Sequence, residues 1–397
     1  MRRPAPLFAI FITIFLDMLA FGMAIPDLQL RGESLGAKHI VMGLLLSSFS
    51  LAQFLFAPIL GRISDSKGRR PVLLVTSLMT TLGFVAYAGA HTLPLMFLAR
   101  ILGGLGGGNI GVAFAYIADI TAPEDRAAGM GKVGAAFGLG FILGPPLGAL
   151  LIQAGKGSPF LLGSVAATLC FLNFLFIYFW LPEPKEHRAK SASSLKDSLQ
   201  DVVRAVRSPA LGLLAMLYFA ANFPFSNLEA TYFRLLEYLY GFKTEGAYIL
   251  MLVGVIGAVV QGGLIRHLVR RFGEVKLMRT GYLLLAPSLA AVPFAPPWAP
   301  LLLGTTVMGF AMGIANPSVS SLITQSAPED MQGSVNGVMQ SLGALARIFG
   351  PLLASVLFDV KYWAPYALGA LIMVIPAVLA RRFRLPETSP QPNTAVS

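Results

Sequence analysis

Apolar residues fill the chain in long runs that stop at short clusters of charge, proline and glycine. Twelve runs can be read, at 7–30, 40–61, 71–90, 94–118, 127–152, 158–181, 209–231, 245–266, 275–295, 298–321, 332–358 and 362–380. Each is close to the roughly 20 residues that carry an α-helix across a bilayer core. The breaks are abrupt, as at Arg62 to Pro71, Pro123 to Arg126 and Pro182 to Pro184. The first run follows Arg2 and Arg3 as a signal peptide would. It is too long for one, contains Asp17 and lacks a small-residue cleavage site, so a retained first helix is expected.

The runs divide at 182–208, where Lys185, Arg188, Lys190, Lys196, Arg204 and Arg207 gather. Ser194 and Asp197 have the spacing of a capping box. Leu195, Leu199, Val202, Val203 and Val206 then recur at helical spacing. Both a short amphipathic helix at the membrane interface and a solvated linker fit this pattern. The two sides of the division are related. Ala122-Pro123-Glu124-Asp125 returns as Ala327-Pro328-Glu329-Asp330, an offset of 327 − 122 = 205, and Gly144-Pro145 returns as Gly350-Pro351, an offset of 350 − 144 = 206. The expected organisation is a six-helix half at 1–181, a linker at 182–208, a second half at 209–381 and a tail at 382–397. Two duplicated halves with a site between them near the midplane are a transporter's plan.

Composition narrows the picture. The 397 residues are 55% hydrophobic and 12% charged, where a soluble domain carries about 25% charged residues. An ordinary soluble enzyme and a disordered chain are excluded. The net charge of +11 invites a nucleic-acid reading. The basic residues lie in short connections rather than on a folded face, so no nucleic acid is expected. Arg2, Arg3, Arg62, Lys67, Arg69, Arg70, Arg126, Lys132, the linker, Arg266, Arg270, Arg271, Lys276, Arg381, Arg382 and Arg384 fall on one side. Arg31, Lys38, Lys156, Arg234, Lys243 and Lys361 fall on the other. The richer side is expected to be cytoplasmic, with both termini. The lone Cys170 sits in an apolar run, and the four histidines are far apart, so neither a disulfide nor a metal site is expected. No cofactor is expected, no nucleophile–base spacing suggests an enzyme, and a monomer is expected.

The connection after the second run reads Gly61-Arg-Ile-Ser-Asp65-Ser-Lys-Gly68-Arg69-Arg70-Pro71-Val-Leu73. Gly61 suits close packing of a helix end, and Gly68 permits the positive φ of a tight turn. Asp65 is placed to face a helix N-terminus across a cytoplasmic gate. Arg69 can pair with a carboxylate at the end of span 4, where Asp119 lies. A weaker copy follows span 8, from Gly263 through Gly273 to Lys276, without the acid. Span 5 contains Gly134, Gly138, Gly140, Gly144, Pro145, Pro146 and Gly148, small residues that let a neighbouring helix approach.

The loop matches G-x-x-x-D-x-x-G-R-R/K-x-x-L, and the chain resembles the major facilitator superfamily. Gly140, Gly144, Pro145 and Gly148 are similar to the antiporter motif of its twelve-span drug:proton exchangers. Gly43 to Leu74, and Ala115 to Thr121, resemble the tetracycline-efflux branch. The resemblance implies an all-α membrane protein of twelve helices in two pseudo-symmetric halves. It further implies proton-driven export of amphipathic small molecules by alternating access, from a bacterial cytoplasmic membrane. Span 3 carries no carboxylate after Pro71, where tetracycline exporters have one, which argues against tetracycline itself. A uniporter or symporter for a sugar, lipid or metabolite, and a non-transporting receptor or scaffold, remain as alternatives.

Asp17 is the most informative single residue. An Asp at a transmembrane helix centre costs about 2.5–3.5 kcal/mol on insertion scales. Proton exchange is its functional reading, and a structural partner such as a buried Arg is the other. Arg100, in a run that resembles the family's span-4 pattern, either snorkels outward or faces the cavity and biases a carboxylate. Glu229, near the outer end of span 7, is either a second carboxylate or a solvated interfacial residue. Arg347 lies deeper, in span 11. Gln53, Asn109, Asn222, Gln261, Asn336 and Gln340 complete the candidates for a cavity lining. The expected partners are a small-molecule substrate, protons and the lipid bilayer.

Overall fold

The computed structural model describes residues 6–121, 126–184, 209–242, 244–294, 298–326 and 332–379. The linker from 185 to 208, the tail, both Ala-Pro-Glu-Asp copies and the side chains of Arg126, Lys132, Asn336 and Gln340 lie outside what it describes. Among the described residues the molecule is helical throughout, without strands. The first half contains α1 (Pro6–Ser34), α2 (His39–Lys67), α3 (Arg69–Ala88), α4 (Leu93–Gly107), α5 (Asn109–Ile120), α6 (Arg126–Ala154) and α7 (Pro159–Trp180). The second contains α8 (Pro209–Tyr240), α9 (Gly246–Val259), α10 (Ile265–Phe272), α11 (Glu274–Ala291), α12 (Trp298–Ser326), α13 (Gln332–Val360) and α14 (Ala364–Leu379).

All twelve expected spans are present. Eleven are long and apolar enough to cross a bilayer, and the twelfth, Ala364–Leu379, is a shorter apolar helix. Two spans are interrupted. Span 4 breaks at Gly108 into α4 and α5, where a glycine-rich stretch weakens helix propensity. Span 8 passes from α9 through a π-helical stretch, Val260–Leu264, into α10. Prolines stand inside eight of the helices, Pro26 and Pro351 among them. In a membrane bundle, neighbouring helices and side chains satisfy the backbone groups that proline frees.

The repeat is visible in the turns. Four of the five left-handed glycines among the described residues fall in register between the halves: Gly36 (φ +89°) with Gly241 (φ +69°), 241 − 36 = 205, and Gly68 (φ +104°) with Gly273 (φ +76°), 273 − 68 = 205; Gly157 (φ +81°) has no such counterpart. These are the offsets of the Ala-Pro-Glu-Asp repeat. A side chain with a Cβ is strained at such a φ, so the duplicated turn geometry holds glycine at both copies.

The buried apolar residues form one large cluster drawn from the last six spans, joined by Ile25 and Ala149, and three smaller clusters within the first six. The halves meet through α1 against α8, α2 against α13, and α6 against α9. The hydrogen bonds and ion pair that join them gather at the end opposite the Gly61–Pro71 loop. Gln29 Nε2 donates to Glu229 O at 2.5 Å, Ser47 Oγ to Ile348 O at 2.6 Å and Gln153 Nε2 to Thr244 Oγ1 at 2.8 Å. Arg234 bridges the halves by pairing with Glu33 at 2.5 Å as well as with Asp359 of its own half at 2.7 Å. Toward the loop end, Gly134 and Gly138 on α6 and Gly262 and Gly263 beside α9 face open space.

Candidate functional site

Asp17 lies mid-way along α1 and is 6% exposed. Its carboxylate accepts from Asn109 Nδ2, at the first turn of α5, and from Asn173 Nδ2 of α7 at 3.1 Å. The break at Gly108 is what presents Asn109 here. Gln53 Nε2 supports the break by donating to the Gly107 carbonyl at 2.7 Å, so Gln53 serves the helix interruption. The structural partner anticipated for Asp17, a buried arginine, is replaced by two neutral amides. Asn173, a lone amide in a very apolar span, was not among the sequence candidates. Its isolation there was the available signal.

Asp17 and Arg100 both line a narrow cavity of about 40 Å³ within the first half, together with Phe21, Phe49, Thr80 and Tyr87. Of the two readings of Arg100, the inward one is observed. Its guanidinium donates to Leu46 O at 3.1 Å and lies 4.7 Å from the Phe49 ring centroid and 5.7 Å from that of Phe21. It makes no ion pair with Asp17, because Phe21 and Phe49 hold it over the cavity's aromatic wall.

The solvated reading of Glu229 is corrected. A hydrogen bond from Gln29 to its own carbonyl ties this turn of α8 to α1. The side chain is partly buried and lies within electrostatic reach of both Arg347 and Arg100. Arg347 is set against Tyr218. A Cβ placed on Gly343 would lie 3.4 Å from its Nη1 and 3.7 Å from the Tyr218 hydroxyl. Arg100 and Arg347 come from opposite halves and converge at the α2–α13 seam. Arg100 is anchored on Leu46, and the next residue, Ser47, bonds the carbonyl of Ile348, the neighbour of Arg347. Neither guanidinium closes an ion pair with Glu229.

The loop cluster is assembled as expected around Arg69. Arg69 pairs with Asp119 at 2.8 Å and with Asp65, and donates to Ser64 Oγ at 2.7 Å. Arg70 donates to the carbonyls of Ile177 and Tyr178. Two expectations fail. A Cβ on Gly61 would meet nothing within 4 Å, so this glycine does not mediate close packing here. Asp65 is engaged one turn along by Arg69 instead of facing a helix N-terminus across the gate. The N-terminus of α3 is capped by Glu183, whose carboxylate accepts from Arg69 N–H at 2.6 Å and Arg70 N–H at 2.8 Å. A free helix N-terminus attracts the nearest carboxylate, and the chain leaving α7 supplies it. In the second half Glu274, at the register of Arg69 (274 − 69 = 205), accepts from Ser321 Oγ and Gln325 Nε2, both at 2.6 Å. The duplicated loop has exchanged the sign of its tether.

Of the span-5 glycines, Gly140, Gly144 and Gly148 pack on α1 beside Asp17, whereas Gly134 and Gly138 meet no neighbouring helix. A Cβ on Gly140 would lie 2.6 Å from Met18 Cβ, one on Gly144 2.7 Å from Gly22 Cα, and one on Gly148 2.1 Å from Met23 O. Pro145 completes the contact, with its Cδ 3.3 Å from a Cβ on Gly22. The remaining polar candidates do less. Asn222 donates to Tyr218 O of its own helix at 2.8 Å, and Gln261 is exposed on the π-helical stretch. At the far end, the buried Asp27 is held bidentately by Arg31 at 2.7 and 2.8 Å and accepts from Tyr87 Oη at 2.8 Å. In the sequence alone Arg31 reads only as a loop charge.

A multi-pass bundle of two six-helix halves, with buried charges at their seam, defines a membrane carrier for small molecules rather than an enzyme. The family model of the Major Facilitator Superfamily matches residues 10–351 and 262–396, and the chain belongs to that superfamily. It is 31% identical to major facilitator superfamily domain-containing protein 10 from Homo sapiens, over 88% of this chain and 86% of that protein. It is 29% identical to the class B tetracycline resistance protein of Escherichia coli, over 88% of each. The crystal structure of the human organic anion transporter MFSD10 (TETRAN) superposes with a TM-score of 0.74 at 28% identity, over 95% of this chain and 100% of that one.

Proposed function

We propose that the protein is a proton-coupled exporter of amphipathic small molecules working by alternating access, with Asp17 as the proton carrier. The observation that carries this reading is the Asp17 site, a carboxylate in mid-membrane held only by the neutral amides of Asn109 and Asn173. Taking or losing a proton changes its charge with no ion-pair partner among the described residues to mask the change, and two access states can differ in how well they hold each form. The span-5 glycines clamp α1 around Asp17, so a shift of α1 is passed to α6 and the half that carries it. Tetracycline and multidrug resistance proteins among the relatives support this direction of use.

In this reading residues 1–181 and 209–381 rock as two units joined by 182–208, with 382–397 as a cytoplasmic tail and the chain working as a monomer in a bacterial cytoplasmic membrane. The basic Gly61–Pro71 end faces the cytoplasm, and the contacts gathered at the opposite end close the outer side. Arg69, Asp65, Asp119, Gly68 and Arg70 keep the inner gate of the first half in shape.

The substrate bears an anionic group. Arg100 and Arg347 together outnumber Glu229 at the seam, and the human relative is described as an organic anion transporter. Reconstituted into liposomes, the protein moves naphthalene-2-sulfonate against its gradient when a pH difference is imposed. Flux that is indifferent to the pH difference would instead favour the uniporter reading.

A further inference from the structure

Span 8 changes character toward the end that carries the basic loops. Val260–Leu264 is π-helical, between α9 and α10. Val260 is buried on α12, where a Cβ on Gly313 would lie 2.8 Å from its own Cβ. Beyond it the cover ends. Gln261, Gly262, Gly263 and Leu264 are exposed, and no residue of α10 is buried. Yet α10 carries an apolar stripe, Ile265, Leu268, Val269 and Phe272, at the spacing of a helix face that packs. Arg266, His267, Arg270 and Arg271 occupy its other side.

Helical phase explains why the stripe is uncovered. Span 8 meets α6 at Gly254, where a Cβ would lie 2.5 Å from Ile142 Cγ1. Ile265 and Phe272 lie 265 − 254 = 11 and 272 − 254 = 18 residues further on, and Val269 lies 269 − 258 = 11 beyond Ala258. Those spacings are about three and five turns of α-helix, so an unbroken helix would put the stripe on the face that meets α6. A π turn, bonded i→i+5, holds about one residue more than an α turn and rotates the stripe off that face. The surface opposite is open as well. The two helices run antiparallel, tied at Gln153–Thr244 and at Ile142–Gly254. One and two turns further toward the loop end, the same register sets Gly138 opposite Ala258 and Gly134 opposite Gly262. A Cβ on Gly134, Gly138 or Gly262 would meet nothing within 4 Å. The two uncovered faces therefore continue an interface already formed further out.

We propose that Val260–Leu264 is a rotary hinge and α10 a lid: when the π stretch tightens to α-helix, the apolar stripe turns into line with Gly254 and Ala258 and closes the inner mouth against the Gly134–Gly138 face of α6. The proposal rests on the alternating-access reading and goes beyond it, since rigid rocking of two halves needs no change inside span 8. The clamp of Val260 on Gly313 holds α9 still, so the rotation is confined to α10. Gly262 and Gly263 place no side chain in the way of the approaching helix. Arg266, Arg270 and Arg271 stay on the watered side throughout.

The test follows N-ethylmaleimide labelling of single introduced cysteines in proteoliposomes of the full chain, where the native Cys170 is buried. Val269→Cys reports the apolar stripe and Arg270→Cys the opposite side of the same turn. A spin-label pair at Ser66→Cys and Thr280→Cys, both exposed and outside α10, reports the approach of the halves at this end. With naphthalene-2-sulfonate present and a pH difference imposed, the spin-label distance shortens. Val269→Cys then labels roughly fivefold more slowly while Arg270→Cys keeps its rate, as a shift in the population of closed lids requires. Gly262→Ala combined with Gly263→Ala favours α-helix over the π turn and meets no neighbour. It slows labelling at Val269→Cys without any pH difference, and an unchanged rate at Arg270→Cys shows that the fold is intact. If the spin labels approach and the two cysteines slow equally, or neither slows, the lid is wrong while alternating access stands. If the double alanine variant labels at Val269→Cys as its parent does, the π-to-α step is wrong. If the spin-label distance never changes, alternating access falls and this proposal falls with it.

Discussion

At the scale of single residues, the buried polar side chains divide by the partners they keep. Asp27 is enclosed by Arg31 and Tyr87, a fully paired arrangement that belongs to architecture. Asp17 has amides alone. Asn173→Ala removes one of its two donors and leaves the apolar wall of α7 intact. The expected result is a several-fold loss of pH-driven transport with little change in thermal stability, read from proteoliposome flux and detergent melting curves. Asp17, Arg100 and Arg347 were legible in the sequence because a charge inside an apolar run is conspicuous. Asn173 carried only the weak signal of a lone amide in an apolar span, and Tyr87 carried none, since a phenol in a membrane span reads as packing until its neighbour across the bundle is known. Glu229 was misjudged for a related reason. Nearness to a helix end reads as exposure, and the apolar run stops at 231, whereas α8 continues to Tyr240 and α1 packs against this turn.

At the scale of elements, spacing between small residues carried the information. The span-5 glycines were recognised as a close-approach surface, and they meet α1 from Met18 to Met23. Gly148 leaves no room for even a methyl group beside Met23 O. Gly148→Ala forces the two helices apart, and overpacking of this kind costs about 1–3 kcal/mol. A lowered melting temperature together with slowed transport is expected, and an unchanged melting temperature would show that the seam is softer than drawn. The loop cluster was legible in its Arg69–Asp119 pair, because both residues sit at helix ends on the same side of the membrane. Its Glu183 cap was not, because Glu183 opens a linker whose dominant feature is basic charge. Glu274 stands in the second copy where Arg69 stands in the first, a change of sign that the motif spacing does not reveal. The partners differ too, since Glu274 is held by Ser321 and Gln325 and the position of Asp119 falls at 324, so the two tethers leave no matching letters.

At the scale of the whole molecule, the fold was legible nearly complete. Hydrophobic runs of membrane-crossing length and a repeat at an offset of 205 leave few alternatives to two six-helix halves. The conformation was not legible, because it depends on which end of the seam is closed, and the same sequence must close both in turn. Here Glu33–Arg234 and its neighbours join the halves at the end opposite the basic loop. Arg234→Gln removes the one ion pair that crosses there among the described residues. Partly exposed pairs are worth up to about 1 kcal/mol, so the expected result is a shift of a few-fold in the population open at that end. Spin-label distances between the α1–α2 and α8–α9 loops would measure it. The central claim, that protonation of Asp17 drives the cycle, is met most directly by Asp17→Asn in proteoliposomes. It is measured both as uptake driven by a pH difference and as substrate exchange at equal pH. The account predicts that gradient-driven uptake falls at least tenfold while equal-pH exchange continues; full gradient-driven uptake by Asp17→Asn would contradict it.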